Sequence, residues 1–293
     1  MISVVVPVYN EENGIGEFLI ELKKSLEAFP GHEIIVVNDG STDGTAEKVR
    51  TAGIPGLKLM EHPENLGYGK SLYDGIAACA NECVAIIDGD GSYPPSRFAD
   101  FYRNYPAYDM VVGARQGWEY KKGFFKRPAR MVFKALAEYA AGRNVPDINS
   151  GMRMFKRSVL LRFKDSLCAG FSFTTTMTLF FMLNSHPVLY LPVEYRKREG
   201  SSKVRPLRDT LRALQYIIEA ILFYNPLKLF LLVASICLVA GGLLVLLDIL
   251  VGGNLFMSAL AALLIGSFPV IFSMGLLANQ LRKIYISSGG NNN

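Results

Sequence analysis

In Cys83–Pro95, CVAIIDGDGSYPP, an apolar run of strand length ends in two carboxylates one residue apart. Alternate side chains of an extended chain point the same way, so Asp88 and Asp90 can face one point. Gly89 and Gly91 let the backbone bend around that point. Mg²⁺ takes one or two protein carboxylates and completes its shell with water and substrate phosphate. The motif therefore indicates a divalent-metal site that holds a diphosphate, although an isolated DGD is more often a surface turn.

Similar apolar runs at 2–6, 34–37, 57–60 and 84–87 alternate with helical patterns, which predicts an α/β fold with a mostly parallel sheet. Polar turns follow three of these runs: PVYNEE, NDGSTDGT and DGD. Ligands of such sheets bind at the carboxyl ends of the strands, so we expect the three turns to form one site. Its predicted members are Tyr9, Glu11, Asn38, Asp39, Asp88 and Asp90.

Charge is distributed unevenly along the 293 residues. Residues 1–120 hold 9 Lys/Arg against 18 Asp/Glu, whereas residues 121–212 hold 19 against 6. The basic middle lies beside an apolar tail and carries no nucleic-acid-binding motif. It indicates anionic lipid headgroups or phosphorylated ligands as partners, and no nucleic acid.

Two uncharged stretches near the C-terminus predict a transmembrane hairpin. Residues 229–247 make a helix of about 28 Å, enough to span a ~30 Å hydrocarbon core, and 255–281 can span with tilt. Lys228 before the first span and Arg282 after the second place both chain ends in the cytoplasm. The four cysteines lack metal-ligand spacing, as in reduced thiols of a cytoplasmic domain. We therefore expect a multi-pass integral membrane protein with a cytoplasmic catalytic domain.

Six motifs in order resemble the family 2 glycosyltransferases with a GT-A fold: VVVPVYNEE, EIIVVNDGSTDGT, ENLGYGKSLYDGI, IIDGDGSYPP, DMVVGAR and NSGMRMFKRSVL. The branch they resemble most is that of dolichyl-phosphate mannose synthases and polyprenyl-phosphate glycosyltransferases. The resemblance implies an inverting, Mg²⁺- or Mn²⁺-dependent transfer of a hexose from a UDP- or GDP-linked donor to undecaprenyl or dolichyl phosphate. A homo-oligomer is left open.

The resemblance also implies roles for individual residues. The catalytic residues would be Asp88, Asp90 and Arg115, and the metal ligands Asp88, Asp90 and Ser92. The nucleotide sugar would contact Pro7, Tyr9, Glu11, Val36, Asn38, Asp39, Asp88, Gly89, Asp90, Arg115, Arg198 and Lys203. The acceptor phosphate would contact Arg127, Arg130, Ser150, Arg153 and Arg196. Two positions depart from the family: Asn38 stands where Asp is frequent, and Ser92 stands where mannose synthases commonly have a metal-facing Gln.

The predicted organisation is a glycosyltransferase domain over 1–203, a juxtamembrane amphipathic helix over 204–225, two transmembrane helices over 226–283 and a disordered tail over 284–293. Within the first domain, 121–141 predicts an amphipathic helix that lies in the headgroup layer or packs on the sheet as an ordinary surface helix.

Two alternatives to a phosphate acceptor stay open. Transfer to a hydroxyl needs a general base. Residues 170–179, GFSFTTTMTL, contain no carboxylate where many family members carry one, and Thr176 stands about where related synthases have a glutamate. A membrane sugar-nucleotide sensor without turnover is the other alternative, and the intact Asp88 and Asp90 argue against it.

Overall fold

The structure is a computed structural model that describes residues 1–117, 127–162, 173–196 and 206–289. The chain forms two compact units, Met1–Ile217 and Ile218–Asn293. The predicted domain boundary at residue 203 lies outside the described residues.

In the described part of the first unit, seven strands form one sheet in the order β3-β2-β1-β4-β6-β5-β7. The strands are β1 (Ile2–Val8), β2 (Glu33–Asn38), β3 (Leu57–Glu61), β4 (Cys83–Ile86), β5 (Met110–Gln116), β6 (Arg153–Lys156) and β7 (Val188–Glu194). Only β6 runs antiparallel to its neighbours, β4 and β5. The predicted mostly parallel sheet is therefore confirmed, and the start of β6 lies at the same edge as the ends of the other strands.

The helices of the first unit are α1 (Ile15–Leu26), α2 (Thr45–Thr51), α3 (Tyr68–Ala77), α4 (Phe98–Asn104), α5 (Arg127–Ala141), α6 (Arg157–Leu161) and α7 (Phe173–Leu183). Next come α8 (Pro206–Tyr224), at the boundary between the units, and then α9 (Pro226–Val251) and α10 (Leu255–Gly289). The helices predicted within 121–141 and 204–225 correspond to α5 and α8. Residues 118–126 lie outside the description.

Helices cover both faces of the sheet, which explains why β1 and β2 are continuously apolar. Val4 and Val6 pack with α1 and α4 on one face. Val5, which points the opposite way, packs with α3 and α7 on the other. Both faces are thus closed to solvent, and the loops at the strand ends are left to form a site.

Among the described residues of the second unit, two helices are long and apolar enough to cross a membrane. The 18-residue windows that qualify them have a mean hydropathy of 2.8 within Pro226–Val251 and 2.2 within Leu255–Ile284. The helices pack closely: a Cβ added at Gly241 would lie 2.7 Å from Ile265 Cγ1. Small residues at such crossings let apolar helices approach one another.

The predicted disordered tail is wrong for its first residues, because α10 continues to Gly289. The run KIYISS after Arg282 contains no helix breaker, so nothing stops the helix before the paired glycines. Residues 290–293 lie outside the description.

Candidate functional site

The loops after β1 and β2 are joined by hydrogen bonds at the carboxyl edge of the sheet. The backbone amide of Asn10 donates to Ser41 Oγ at 2.9 Å, and the amide of Thr42 donates to Asn10 Oδ1 at 2.8 Å. The amide of Glu11 donates to Thr45 Oγ1 at 2.8 Å. Asn10 adopts a φ of 54°, a left-handed conformation that Asn tolerates better than most residues. The first two predicted motifs therefore form one continuous surface.

Asp88 follows β4 and is fixed from two other elements. Tyr68, the first residue of α3, donates its hydroxyl to Asp88 Oδ1 at 2.8 Å. Burial, and then the Asp88 charge, raise the pKa of Tyr68 well above its usual value, so the hydroxyl keeps the proton that it donates. On the other side, a Cβ added at Gly151 would lie 2.0 Å from Asp88 Oδ2, so only glycine fits there. Gly151 is itself held by Tyr93, whose hydroxyl accepts its backbone amide at 2.8 Å.

Asp90 is 7% exposed and is oriented by Ser92. Its Oδ1 accepts the backbone amide of Ser92 at 3.0 Å and the Ser92 hydroxyl at 2.5 Å. Ser92 has no exposed surface and fixes the orientation of Asp90, and its role as a metal ligand stays a prediction.

The residues present suit a hard divalent cation. Asp88 and Asp90 offer carboxylate oxygens only, and hydrogen bonds from Tyr68 and Ser92 fix their orientation. Among the described residues no group of three or more His, Cys, Asp or Glu side chains could hold a metal. Two carboxylates match Mg²⁺ or Mn²⁺ that takes its other ligands from water and substrate phosphate, and they do not match a closed protein cage.

Arg115, at the end of β5, forms a two-pronged ion pair with Asp147. Its Nε lies 2.7 Å from Asp147 Oδ2 and its Nη2 lies 2.8 Å from Oδ1. The Arg115 guanidinium also lies 5.6 Å from the centre of the Tyr195 ring. Such a paired, stacked guanidinium is held in one orientation. The loop before β6, which contains Asp147 and Gly151, thus fixes both the Arg115 cation and the Asp88 carboxylate.

Asn38 and Asp39 lie where they were predicted, at the end of β2, but both side chains are largely buried. Asp39 Oδ1 accepts the amide of Leu66 and Oδ2 accepts that of Gly67, both at 2.9 Å, and His62 also bonds to Oδ1. The carboxylate of Asp39 therefore organises the turn before α3. Any contact it makes with a nucleotide comes in addition to this task.

Four of the predicted contacts are buried in the structure. Val36 belongs to the core beneath the site and has no exposed surface, and Pro7 is buried within β1. Ser150 is also fully buried. The Arg153 guanidinium donates to the backbone oxygens of Ser150 and Ile148 and to the hydroxyl of Thr178. Burial lowers the pKa of Arg153. Val36, Pro7, Ser150 and Arg153 therefore shape the loops from beneath, and their contacts with a ligand stay predictions.

Some of the other predicted contacts are described by the structure, and the rest lie outside the described residues. Tyr9 is half-buried, Glu11 is 8% exposed and Gly89 lies beneath the site, where a Cβ would come within 2.6 Å of Val8. Arg196 is exposed and pairs with Glu21 at 3.1 Å. Arg198 and Lys203 lie outside the described residues, as do the side chains of Arg127 and Arg130.

Sequence reasoning missed Tyr68, Asp147, Gly151 and His62. His62 directly follows β3, so the same strand-end rule that selected Asp39 and Asp88 would have found it. Tyr68 stands between two glycines in the motif ENLGYGKSLYDGI. Glycines in a turn signal that the backbone there comes close to another part of the chain. For Asp147 the sequence carries no comparable signal, because its partner Arg115 is 32 residues away.

Residues 3–163 match the family model Glycosyl transferase family 2. The chain is 27% identical over 299 aligned positions to undecaprenyl-phosphate 4-deoxy-4-formamido-L-arabinose transferase of Proteus mirabilis, covering 97% of this chain and 89% of that protein. It is 29% identical over 210 positions to dolichyl-phosphate hexose transferase of Haloferax volcanii, covering 70% and 87%.

Among solved structures, the fold resembles glucosyl-3-phosphoglycerate synthase from Mycobacterium tuberculosis in complex with Mn²⁺, UDP and glucosyl-3-phosphoglycerate. The TM-score is 0.58 at 20% identity, with 75% of this chain and 79% of that chain covered. A further structure of that synthase contains Mg²⁺ and UDP, at a TM-score of 0.58. The family match covers more than half of the chain, and the sheet and loops agree with it. The chain therefore belongs to glycosyl transferase family 2 and is a glycosyltransferase with a GT-A fold.

Proposed function

We propose that this protein transfers a hexose from a UDP- or GDP-linked donor to the phosphate of a membrane polyprenol, undecaprenyl or dolichyl phosphate, with inversion at the sugar. The observation that carries the proposal is the Asp88–Asp90 turn at the carboxyl edge of the sheet, where Tyr68 and Gly151 fix Asp88 and Ser92 orients Asp90. The two relatives described above are named as sugar transferases that act on undecaprenyl phosphate and dolichyl phosphate, and this supports a polyprenyl phosphate as the acceptor.

The donor half of the site is assigned to the loops after β1, β2 and β4. Asp88 and Asp90 would hold Mg²⁺ or Mn²⁺, which would neutralise the donor diphosphate and favour its departure. Tyr9 and Glu11 lie on the joined loops, where a nucleoside would extend away from the diphosphate. Arg115, fixed by Asp147, would supply an oriented cation to the leaving diphosphate, and such a charge stabilises a leaving group better than a mobile one.

The acceptor chemistry follows from the charge of a phosphate monoester. One acceptor oxygen forms a bond to the anomeric carbon while the bond from that carbon to the diphosphate breaks. This single displacement inverts the configuration. The attacking oxygen is already ionised near neutral pH, so no side chain needs to remove a proton. The sequence of α7, FTTTMTLFFML, agrees with this, since it contains no carboxylate and Thr176 is 4% exposed.

The membrane arrangement supports the same acceptor. The helices α9 and α10 would cross the bilayer as a hairpin, with Lys228 and Arg282 on the cytoplasmic side. Both chain ends and the glycosyltransferase unit would then face the cytoplasm, where nucleotide sugars are made. The basic residues between 121 and 212 would meet the anionic lipid headgroups and the acceptor phosphate.

A donor panel with the full-length protein in liposomes tests the proposal. Release of nucleoside diphosphate is measured with UDP- and GDP-hexoses, with and without Mn²⁺, in the presence of polyprenyl phosphate or of the corresponding polyprenol. Metal-dependent release that requires the phosphate supports the proposal. Equal release with the alcohol would instead establish a hydroxyl acceptor, and nucleotide binding without release would establish a sensor.

A further inference from the structure

His62 lies between two carboxylates next to the donor loops. Its Nδ1 is 2.7 Å from Asp39 Oδ1 and its Nε2 is 3.1 Å from Asp74 Oδ2. The ring is 9% exposed. Asp74, on α3, also accepts Lys70 Nζ at 2.6 Å through its other oxygen. The imidazole therefore links the end of β2 to the body of α3.

Asp39, the first of these carboxylates, also fixes the turn that precedes α3. It accepts the backbone amides of Leu66 and Gly67, each at 2.9 Å. The adjoining Gly40 has a φ of +65°, and a Cβ added there would lie 2.4 Å from the backbone carbon of Glu64. The two loops are thus in direct backbone contact, so a rotation of the Asp39 carboxylate would be transmitted to the turn.

The turn leads directly to the carboxylate pair of the site. Gly67 precedes Tyr68, and the Tyr68 hydroxyl donates to Asp88 Oδ1 at 2.8 Å. A continuous series of hydrogen bonds and one short backbone segment therefore connects His62 with Asp88. His62 itself contacts neither Asp88 nor Asp90 in these hydrogen bonds, so any influence on them must pass through the turn.

We propose that His62 is a positioning residue for the transfer reaction: by linking Asp39 to Asp74 it holds the Leu66–Gly67 turn, and through Tyr68 it sets the orientation of Asp88. The part of the proposal in which His62 holds the turn concerns the structure alone. The part in which His62 orients Asp88 for the reaction rests on the proposed function, because it assumes that Asp88 holds a metal and a diphosphate.

Two near-isosteric variants separate the two bonds of the ring. The amide nitrogen of Asn takes about the place of His Nδ1, and that of Gln takes about the place of Nε2. His62→Asn keeps a donor for Asp39, and His62→Gln keeps a donor for Asp74. Asp74→Asn is the matched control, because it weakens the distal bond and the Lys70 ion pair but leaves the bond to Asp39 in place. A residue that merely fills space would respond similarly to Asn and Gln.

The first measurement is amide hydrogen exchange of the Leu66–Gly67 segment in the full-length protein without ligands. Loss of one hydrogen bond of about 1.4 kcal/mol corresponds to about tenfold. We expect exchange in this segment to be about tenfold faster in His62→Gln than in His62→Asn or Asp74→Asn. Equal exchange in His62→Gln and His62→Asn would overturn the proposed role of the Asp39 bond.

The second measurement is the Mn²⁺ concentration that half-activates transfer, together with kcat and the donor KM. Groups that orient metal ligands typically change metal affinity by about 10- to 100-fold, and His62 acts from further away, so we expect about tenfold weaker activation in His62→Gln. His62→Asn should stay within about twofold of wild type. Unchanged activation in a His62→Gln protein whose turn exchanges faster would refute the link to Asp88. If the wild-type protein transfers no sugar, the proposed function fails, while the exchange result still decides whether His62 holds the turn.

Discussion

Gly151→Ala should disable the site while leaving the fold nearly intact. The new Cβ would lie 2.0 Å from Asp88 Oδ2 and 2.4 Å from its Cγ, whereas ordinary contact begins at 3.4 Å. The carboxylate must therefore move by about 1.4 Å, which also disturbs its hydrogen bond with Tyr68. A misplacement of about 1 Å at a reacting centre can cost about 100-fold in rate. Because the displaced atoms are the end of a side chain, the loss of stability should stay near the lower end of the ~1–3 kcal/mol typical of overpacking.

The assay is kcat/KM for metal-dependent release of nucleoside diphosphate, paired with the thermal midpoint of the same preparation. We expect a fall of about 100-fold in kcat/KM, equal to about 2.7 kcal/mol. Gly16→Ala, in α1, is the matched control, since nothing lies within 4 Å of the added Cβ. It should leave both quantities near wild type.

Retention of more than about half of the wild-type kcat/KM in Gly151→Ala would refute the reasoning. Asp88 would then work equally well from a displaced position, and its exact placement would not matter. If the thermal midpoint of Gly151→Ala fell along with its kcat/KM, the main role of Gly151 would instead be to stabilise the fold.

Three further predictions concern other parts of the chain. Gly241→Leu should lower the thermal midpoint in detergent, because its Cβ would meet Ile265 Cγ1 at 2.7 Å, whereas the adjacent Gly242→Leu, with nothing within 4 Å, should not. Burial raises the pKa of Asp109, but hydrogen bonds from Lys156 and the neighbouring imidazole outweigh it, so the net pKa is lowered. Asp109 therefore stabilises the fold above the unfolded value of about 3.9, and wild type should lose more of its thermal midpoint than Asp109→Asn as pH falls from about 5 to 3. Thr176→Val should keep most of the activity, because attack by a phosphate oxygen needs no general base. The pH dependence of transfer should therefore show no ionisation of an enzyme base. A steep loss of activity with both substrates still binding would contradict this prediction.

Strand ends and local motifs were predictable because they depend on short-range patterns. The apolar runs located β1 to β4 to within two residues, and the DGD motif placed Asp88 and Asp90 at the sheet edge. The antiparallel β6 was not predicted, because its register depends on pairing with β4 and β5 far along the chain.

Burial by residues distant in sequence could not be predicted. The family resemblance alone placed Arg153 near the acceptor phosphate. In the structure its hydroxyl partner, Thr178, lies 25 residues later, on a helix that closes over it. No local pattern could show that this cation is enclosed by backbone oxygens. Val36 is a similar case, since only the family resemblance placed it at the nucleotide, and its side chain lies in the core beneath β2.

Asp90→Ala tests whether Asp88 and Asp90 hold the metal and diphosphate of a sugar donor. Transfer from the best donor of the panel to polyprenyl phosphate is measured in Mn²⁺ with the full-length variant, and Asp100→Ala serves as a control, since Asp100 forms surface ion pairs on α4. A metal that stabilises a departing diphosphate contributes several kcal/mol, so we expect at least about 100-fold loss in Asp90→Ala, measured on protein that is still folded although it has lost the two hydrogen bonds from Ser92. Activity of Asp90→Ala within about tenfold of wild type would contradict the account.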